Sequence, residues 1–279
     1  LDYYSYMLNK VLCDLENDPI LEIRGGKLVL KTLKPTYLAV TGWGTLEINQ
    51  KEMQLWKVHK VPSNSIVQIK ARKDSVVYFS VMGSLTLEDK IIKGGTRIFY
   101  KEHVDYDVKK ALKALYVPSK YIPDNTPSIV KVLSPKLKYS EKVLMNTVII
   151  EKNPVNHYML KPLTYYSDIP FVRNVQPFSL TSSPEGLLEV PLLPSLGESI
   201  GKFDPLSIDV LTRLPEKSML TIEVVSSTYE KDFLEKYLAQ IERVSRIIRK
   251  AKEAALRGAS LLKLKINGEV FDVWIEELD

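Results

Sequence analysis

Short apolar runs alternate with polar residues between Tyr37 and Ser84, in the segment YLAVTGWGTLEINQKEMQLWKVHKVPSNSIVQIKARKDSVVYFSVMGS. Two of these runs, YLAVTG and VVYFSVMG, end in a glycine after an aromatic and aliphatic core. A period of two that is interrupted by turn residues is typical of antiparallel strands. The segment therefore predicts an antiparallel β-barrel.

A helix is predicted ahead of this barrel, from Asp2 to Leu15, because apolar residues recur there at three- and four-residue steps. Pro19 ends it, since the residue before a proline disfavours helical backbone. Alternation predicts the strands of the barrel at Ile20–Ile23, Lys27–Leu30, Tyr37–Val40, Leu46–Ile48, Ile66–Lys70, Val76–Val81 and Arg97–Tyr100. A charged helix from Val108 to Tyr116 follows them.

The linker after this helix contains Pro118, Pro123 and Pro127, which stiffen it and predict a domain boundary. The next region has an apolar run at Ser128–Leu133 and helical spacing near Tyr139–Asn146 and Asp204–Leu214. Further strands are predicted at Thr147–Glu151, His157–Leu160, Phe178–Thr181 and Leu220–Val225. We expect residues 1–117 and 118–228 to form two barrel subdomains.

The last part of the chain, residues 229–279, has a different pattern. Apolar residues from Phe233 to Ala255 recur at helical steps in a charged background, and Gly258 is placed to cap the resulting amphipathic helix. The sequence LKLKINGEVFDVWIEE then alternates on both sides of Asn267-Gly268, the strongest two-residue signal for a β-hairpin. A long helix followed by a hairpin is predicted.

The charge composition of the chain bears on whether it binds nucleic acid. Lys and Arg exceed Asp and Glu by 39 − 34 = 5, and the excess is spread along the chain. The basic residues of the last helix, which include Arg243, Arg246 and Arg249, are not interleaved with aromatic side chains as in single-strand binders. A solvated helix face is therefore favoured over a nucleic-acid interface. The abundance of Lys, Glu, Ile and Tyr is compatible with a thermophilic source.

Few residues suit metal or nucleophilic chemistry. Cys13 is the one cysteine, and its apolar spacing predicts a buried thiol. His59, His103 and His157 are not paired in a metal-binding spacing, so no metal site is expected. No run of about 18 apolar residues and no export signal occur, so we expect a cytoplasmic protein that does not enter a membrane.

The segment from Tyr37 to Ser84 resembles the allophanate hydrolase subunit 2 family, which also contains the C component of 5-oxoprolinase and is called the carboxyltransferase A/B family. Its runs AVTGW and VVYFSVMGS, with Trp56 between them, are similar to the family pattern ALTGA, W and YLAVAGG. Further along, RNVQPFSLTSSPEG resembles GVPFGAIQVPPDG, and RLPEKSMLTIEVVS resembles QLRPGDRVRFEAVS. The resemblance covers roughly Asp2 to Ser226 and implies a mainly β fold of two cyclophilin-like β-barrel subdomains.

Carrying the family motifs over residue by residue points to four substrate-binding candidates. Thr41 and Gly42 lie in the retained VTG turn, Tyr158 remains from the family strand SDRMGYRL, and Thr181 replaces a family Gln. Val155 stands where relatives have Arg, and the loop DRQTTGGYP corresponds to the shorter LPSLGES. For Thr41 and Gly42, a tight turn without a ligand is the alternative. No catalytic residue is identified.

The resemblance implies one subunit of a heteromeric 5-oxoprolinase or allophanate hydrolase-like complex, which opens a small cyclic amide or urea derivative in an ATP-dependent hydrolysis. The partner would be a companion carboxyltransferase C/D protein, related to allophanate hydrolase subunit 1, and ATP would bind at the level of the complex. A homo-oligomer is a further possibility. The alternative function is a non-catalytic binding or regulatory subunit that keeps the fold without the site, because motifs that hold the substrate are changed.

Overall fold

The computed structural model describes residues 2–73, 75–87, 91–102, 104–124, 128–153, 157–169, 177–182, 188–191 and 200–276. Strands dominate these residues, with a long helix and a hairpin at the carboxyl end. The predicted mainly β fold is therefore confirmed. Among the described residues, every helix is too short or too polar to cross a bilayer.

The first helix, α1 (Tyr3–Leu12), begins where Asp2 accepts a hydrogen bond from the Ser5 N–H at 3.0 Å. An Asp in this position satisfies one of the free donors of the first turn. Its face of Tyr4, Leu8 and Leu12 is buried. The helix ends earlier than the predicted Leu15 because Asp14 adopts a left-handed backbone with φ of 54°.

The first β unit contains ten strands. They are β1 (Leu21–Arg24), β2 (Lys27–Lys31), β3 (Thr36–Gly42), β4 (Gly44–Ile48), β5 (Lys51–Met53), β6 (Val58–Val61), β7 (Ile66–Ala71), β8 (Val76–Val81), β9 (Ser84–Thr86) and β10 (Phe99–Lys101). Two four-stranded antiparallel sheets, in the orders β1-β8-β3-β6 and β2-β7-β4-β5, enclose an apolar core that includes Leu38, Ile69 and Phe79. The unit is thus a pair of sheets rather than one closed ring.

The helix predicted from Val108 to Tyr116 is largely replaced by other structure. Helix α2 (Val108–Ala111) is followed by a 3₁₀ turn at Leu112–Ala114. Beyond the turn, the Val58 N–H donates to the Leu115 carbonyl and the Val117 N–H donates to the Trp56 carbonyl, both at 2.8 Å. Because residues 115–117 form these hydrogen bonds with the backbone at the edge of β6, they do not continue the helix.

The second β unit is a closed seven-stranded barrel. Its strands are β11 (Ile129–Ser134), β12 (Val143–Asn153), β13 (His157–Ser167), β14 (Phe178–Ser182), β15 (Leu188–Pro191), β16 (Ile200–Phe203) and β17 (Met219–Ser226). They are ordered β11-β16-β15-β14-β13-β12-β17, and β17 pairs with β11 in parallel to close the ring. The core includes Val132, Ile149, Leu160, Phe203 and Ile222.

The helix predicted near Tyr139–Asn146 is wrong. Residues from Val143 onward belong to β12, which pairs with both β13 and β17. Val143, Met145, Thr147 and Ile149 are all buried, which is the period of two expected for a strand. Pairing on both sides within the barrel therefore overrides the local helical spacing.

Helix α3 (Pro205–Arg213) agrees with the predicted Asp204–Leu214, and Asp204 caps it by accepting from the Ser207 N–H at 3.1 Å. Its carboxyl end meets the buried Lys152 of β12. The Lys152 Nζ donates to the carbonyls of Leu211, Thr212 and Leu214 at 3.2, 2.9 and 2.8 Å. A cation in this place both satisfies free carbonyls and opposes the helix dipole.

The carboxyl-terminal elements are helix α4 (Glu230–Leu256) and the hairpin of β18 (Ser260–Ile266) and β19 (Glu269–Ile275). Gly258, with φ of +96°, follows α4, and Asn267 and Gly268 have φ of 51° and 87°, as a type I′ turn requires. The predicted helix and hairpin are confirmed. Buried residues of α4 such as Val244 share one apolar cluster with α1 and with residues 108–117. The division at residues 117 and 228 stays a prediction.

A buried polar cluster joins α1, α3 and α4. The Asp209 carboxylate of α3 accepts from the Tyr3 and Tyr4 N–H groups at 2.7 and 3.2 Å, and from the Tyr237 hydroxyl of α4. Arg213 lies 3.6 Å from the Asp2 carboxylate. Burial, reinforced by the Asp2 charge, raises the pKa of Asp209 to about 7, against the opposing hydrogen bonds and Arg213.

This shift predicts how stability depends on pH. Because the folded-state pKa of Asp209 lies above its unfolded value, the folded state binds more protons, and the resulting stability is lost as the pH rises through about 7. We expect the free energy of unfolding to fall from about pH 4 to about pH 7, relative to that of Asp209→Asn, which cannot ionise. Urea titrations of both proteins at several pH values measure this difference. A difference independent of pH would contradict the prediction.

Candidate functional site

Thr41 lies near the end of β3 with its side chain fully buried. Its hydroxyl donates to the Ser5 carbonyl of α1 at 2.7 Å. The hydroxyl therefore holds α1 against the sheet. Its predicted contact with a substrate stays a prediction.

Gly42 is required by the backbone at this turn. Its φ is +96°, and a Cβ atom there would lie 2.5 Å from the Val76 carbonyl oxygen. Next to it, the Trp43 N–H donates to the same carbonyl at 3.0 Å. The close approach of β3 and β8 explains the glycine without a ligand, since only glycine accepts this conformation at little cost.

Tyr158 lies in β13 inside the barrel and is almost completely buried. The Lys152 ammonium is 5.5 Å from the centre of its ring. Burial raises the pKa of Tyr158 to about 12, while a hydrogen bond with Thr212 and the Arg24 guanidinium charge oppose this rise. The phenol is therefore protonated at neutral pH.

Thr181 lies in β14, where its backbone is opposite Glu189 of β15. Its side chain is outside the described part of the structure, as are Val155 and the loop LPSLGES at residues 193–199. The structure therefore places the strand of this predicted residue but not its side chain. The substrate role of Thr181 stays a prediction.

Basic residues gather where the first β unit meets the barrel. Arg24 ends β1 beside Val76, and Gly42 pairs with Val77, so both lie at one end of the same sheet. The Arg72 N–H donates to the Trp43 carbonyl at 3.0 Å, and the Arg72 guanidinium lies 5.4 Å from the centre of the Trp43 ring. A guanidinium held over an aromatic face is partly fixed in place.

The barrel contributes Glu216 to this region. The Lys73 Nζ is 3.4 Å from its carboxylate, and the Lys152 N–H donates to the same carboxylate at 3.2 Å. These contacts tie the turn after β7 to the loop before β17. We call Arg24, Trp43, Arg72, Lys73, Tyr158 and Glu216 the junction cluster.

The junction cluster has three cationic side chains, which suit a small anion. Glu22 pairs with Arg24, and Glu216 pairs with Lys73, so Arg72 is the cation of the cluster that, among the described residues, is held by an aromatic ring alone. Guanidinium groups bind carboxylates with paired, directed hydrogen bonds. Of the residues predicted from the sequence, Tyr158 belongs to this cluster and Gly42 precedes Trp43 in the chain, while Arg24, Arg72 and Lys73 were not predicted. The available signal was the basic pair Arg72-Lys73 at a turn between two predicted strands.

Two other reactive side chains of the described residues, Cys13 and His59, are held in local packing. Burial raises the pKa of the Cys13 thiol to about 12, so the thiol stays protonated. The His59 Nε2 is 2.7 Å from the Gln54 carbonyl, and burial lowers the pKa of the ring. Across the part of the chain that the structure describes, His, Cys, Asp and Glu do not cluster in threes as a metal would need.

Comparison with known proteins finds a family model that matches the amino-terminal part of the chain. Residues 1–91 match the model of the carboxyltransferase domain, subdomain A and B. The predicted resemblance to the carboxyltransferase A/B family is thus confirmed. The other two motifs of the resemblance, RNVQPFSLTSSPEG and RLPEKSMLTIEVVS, lie beyond residues 1–91. No curated protein sequence matches the chain.

Solved structures extend the likeness to most of the fold. Urea amidolyase of Kluyveromyces lactis matches 88% of this chain with a TM-score of 0.60 and 13% identity. The urea carboxylase of the same organism also matches 88%, with a TM-score of 0.57 and 14% identity. A protein named TTHA0988 matches 81%, with a TM-score of 0.52 and 15% identity. At such identities the likeness concerns the fold alone.

The chain is much shorter than the two urea enzymes. It spans 18% of the urea amidolyase chain and 26% of the urea carboxylase chain, and 49% and 88% of the TTHA0988 chains in two structures. The shared fold therefore corresponds to one portion of each of the two urea enzymes.

The geometry of Gly42 generates a stability prediction. Gly42→Ala should lower the free energy of unfolding by about 2 kcal/mol or more, because the new methyl group meets the Val76 carbonyl in a strained backbone conformation. Gly94→Ala is the matched control, since a Cβ atom there meets no atom within 4 Å, and it should change stability by less than about 0.5 kcal/mol. Urea unfolding monitored by circular dichroism measures both. Equal effects would show that β3 and β8 do not approach so closely.

Proposed function

We propose that this chain is one subunit of a heteromeric complex of the 5-oxoprolinase or allophanate hydrolase type. The observation that carries the proposal is the carboxyltransferase A/B match over residues 1–91, on a chain whose fold resembles a portion of a urea carboxylase. In this proposal the complex opens a small cyclic amide or urea derivative in an ATP-dependent reaction. A companion carboxyltransferase C/D protein completes the site, and ATP binds at the level of the complex.

The junction cluster is the part of this chain that we assign to the substrate. Arg72 is exposed, so its guanidinium group can reach the carboxylate of a small acid, whereas the Arg24 guanidinium is paired with the Glu22 carboxylate. Tyr158 is buried, so its phenol does not touch the substrate in this proposal. Directed positive charges of this kind stabilise negative charge that develops on an amide oxygen during cleavage.

A second function, a non-catalytic binding or regulatory subunit, is favoured by a different observation. The Thr41 hydroxyl is already engaged by Ser5, and Tyr158 is buried. Val155 and Thr181 replace a family Arg and Gln. A chain that kept the fold and a partner surface while losing these donors would bind without supporting turnover.

Co-expression with the companion protein distinguishes the two functions. The complex is isolated by size exclusion with light scattering, and ATP hydrolysis is followed with and without 5-oxoproline or allophanate. Turnover that requires both proteins and either substrate supports the enzyme subunit. A stable complex without turnover supports the regulatory subunit, and the absence of a complex contradicts both.

The junction cluster makes a sharper prediction for an active complex. Arg72→Gln should lower substrate-dependent ATP hydrolysis about tenfold or more, because it removes a charged hydrogen-bond donor from the proposed site. Arg97→Gln, at another exposed arginine outside the cluster, should leave turnover unchanged. Both variants should still form the complex in light scattering. Equal turnover in the two variants would remove the junction cluster from the proposed site.

A further inference from the structure

A groove of 790 Å³ lies on a different part of the molecule from the junction cluster. Its walls are the last turns of α4, the hairpin of β18 and β19, and the segment 113–121. None of its lining residues belongs to the junction cluster. Its volume falls in the range of roughly 300–1,000 Å³ that is usual for sites of small organic ligands.

Four lysines on the groove have no carboxylate partner among the residues that the structure describes. They are Lys57, Lys113, Lys120 and Lys250. Two acidic residues of the groove pair with cations outside this set of four. Asp272 is 3.3 Å from Lys263, and Glu276 accepts from the Arg257 Nε at 2.8 Å. Glu253 is the remaining acidic residue of the lining. The groove therefore keeps a surplus of positive charge.

Two of these lysines are held in place by aromatic rings. The Lys120 ammonium lies 5.0 Å from the ring centres of both Tyr121 and Phe271. The Lys113 ammonium lies 5.8 Å from the centre of the Trp274 ring and donates to the Ala259 carbonyl at 3.0 Å. Cation–π contacts restrict these flexible side chains before any ligand arrives, which lowers the entropy cost of binding.

The same groove has apolar walls between its charges. Ile247 and Ala251 of α4 face it on one side, and Val270 and Trp274 of the hairpin line it on the other. A purely inorganic anion would leave these side chains in water, whereas an apolar ligand would leave the lysines without a counter-charge. A ligand with both features uses the whole groove.

We propose that this groove binds a small organic anion with a planar aromatic body and two or more negative charges, such as a nucleoside diphosphate. The aromatic body packs between α4 and the hairpin, and the negative charges meet the lysines. This site does not rest on the proposed function, because the junction cluster has no part in it.

The test compares three probes by isothermal titration with the full chain at low salt. ADP carries both features, inorganic pyrophosphate carries the charge alone, and adenosine carries the aromatic body alone. We expect ADP to bind at least about tenfold more tightly than either of the other two. The double variant Lys120→Gln with Lys250→Gln should weaken ADP binding at least about tenfold, because two counter-charges are lost.

The control variant is Lys236→Gln, which removes an exposed lysine of the same helix that does not line the groove. It should bind ADP like the unchanged protein. Equal thermal midpoints establish that the variants fold. As a second readout, ADP should change the tryptophan fluorescence of the unchanged protein, and Trp274→Phe should abolish this change.

Several outcomes would overturn the proposal. No ADP binding, or an affinity for pyrophosphate or adenosine equal to that for ADP, would show that the groove does not recognise the combined chemistry. Equal ADP binding by the lysine double variant and the Lys236→Gln control would place the site elsewhere. Tighter binding of a hexaglutamate peptide than of ADP would assign the groove to an acidic protein segment instead.

Discussion

The arrangement of the helices depends on one interaction, the hydrogen bonds that the Asp209 carboxylate accepts from the amino terminus of α1. The first turn of a helix exposes N–H groups without partners, and burying them unsatisfied is costly. Asp209 of α3 accepts two of these groups and also the Tyr237 hydroxyl of α4. One side chain thus joins the first helix, the helix of the barrel unit and the long carboxyl-terminal helix.

Helix α1 transmits this constraint to the first pair of sheets. The Asn9 amide donates to the Tyr78 carbonyl of β8 at 3.0 Å, and Thr41 of β3 donates to the Ser5 carbonyl. The Asp2 N–H donates to the Tyr78 hydroxyl at 2.9 Å. Buried polar groups that are satisfied in this way specify one position of the helix. The turn at Thr41 and Gly42 is therefore shaped by the packing of α1 before any ligand is considered.

Positive charge is organised differently at the two candidate sites. In the junction cluster, Lys73 faces Glu216 across two units of the fold, and Arg72 is held over Trp43. In the groove beside α4, lysines lie against aromatic rings without carboxylate partners in the described residues. On the exposed face of α4, by contrast, Arg246 and Arg249 both lie within 4 Å of Glu242. The Glu242 carboxylate beside these two arginines agrees with the solvated helix face that the sequence predicts.

The sequence by itself determined the elements whose cause is local. Asp2 and Asp204 cap helices, the Asn267-Gly268 pair makes the hairpin turn, and the apolar period of α4 gives it a buried face. Only the tertiary structure decided the rest. Strand pairing on both sides turned the helical spacing near Asn146 into β12, and hydrogen bonds to β6 ended α2 early. Lys73 and Glu216 come from distant parts of the chain, so their contact depends on non-local packing that no local pattern records.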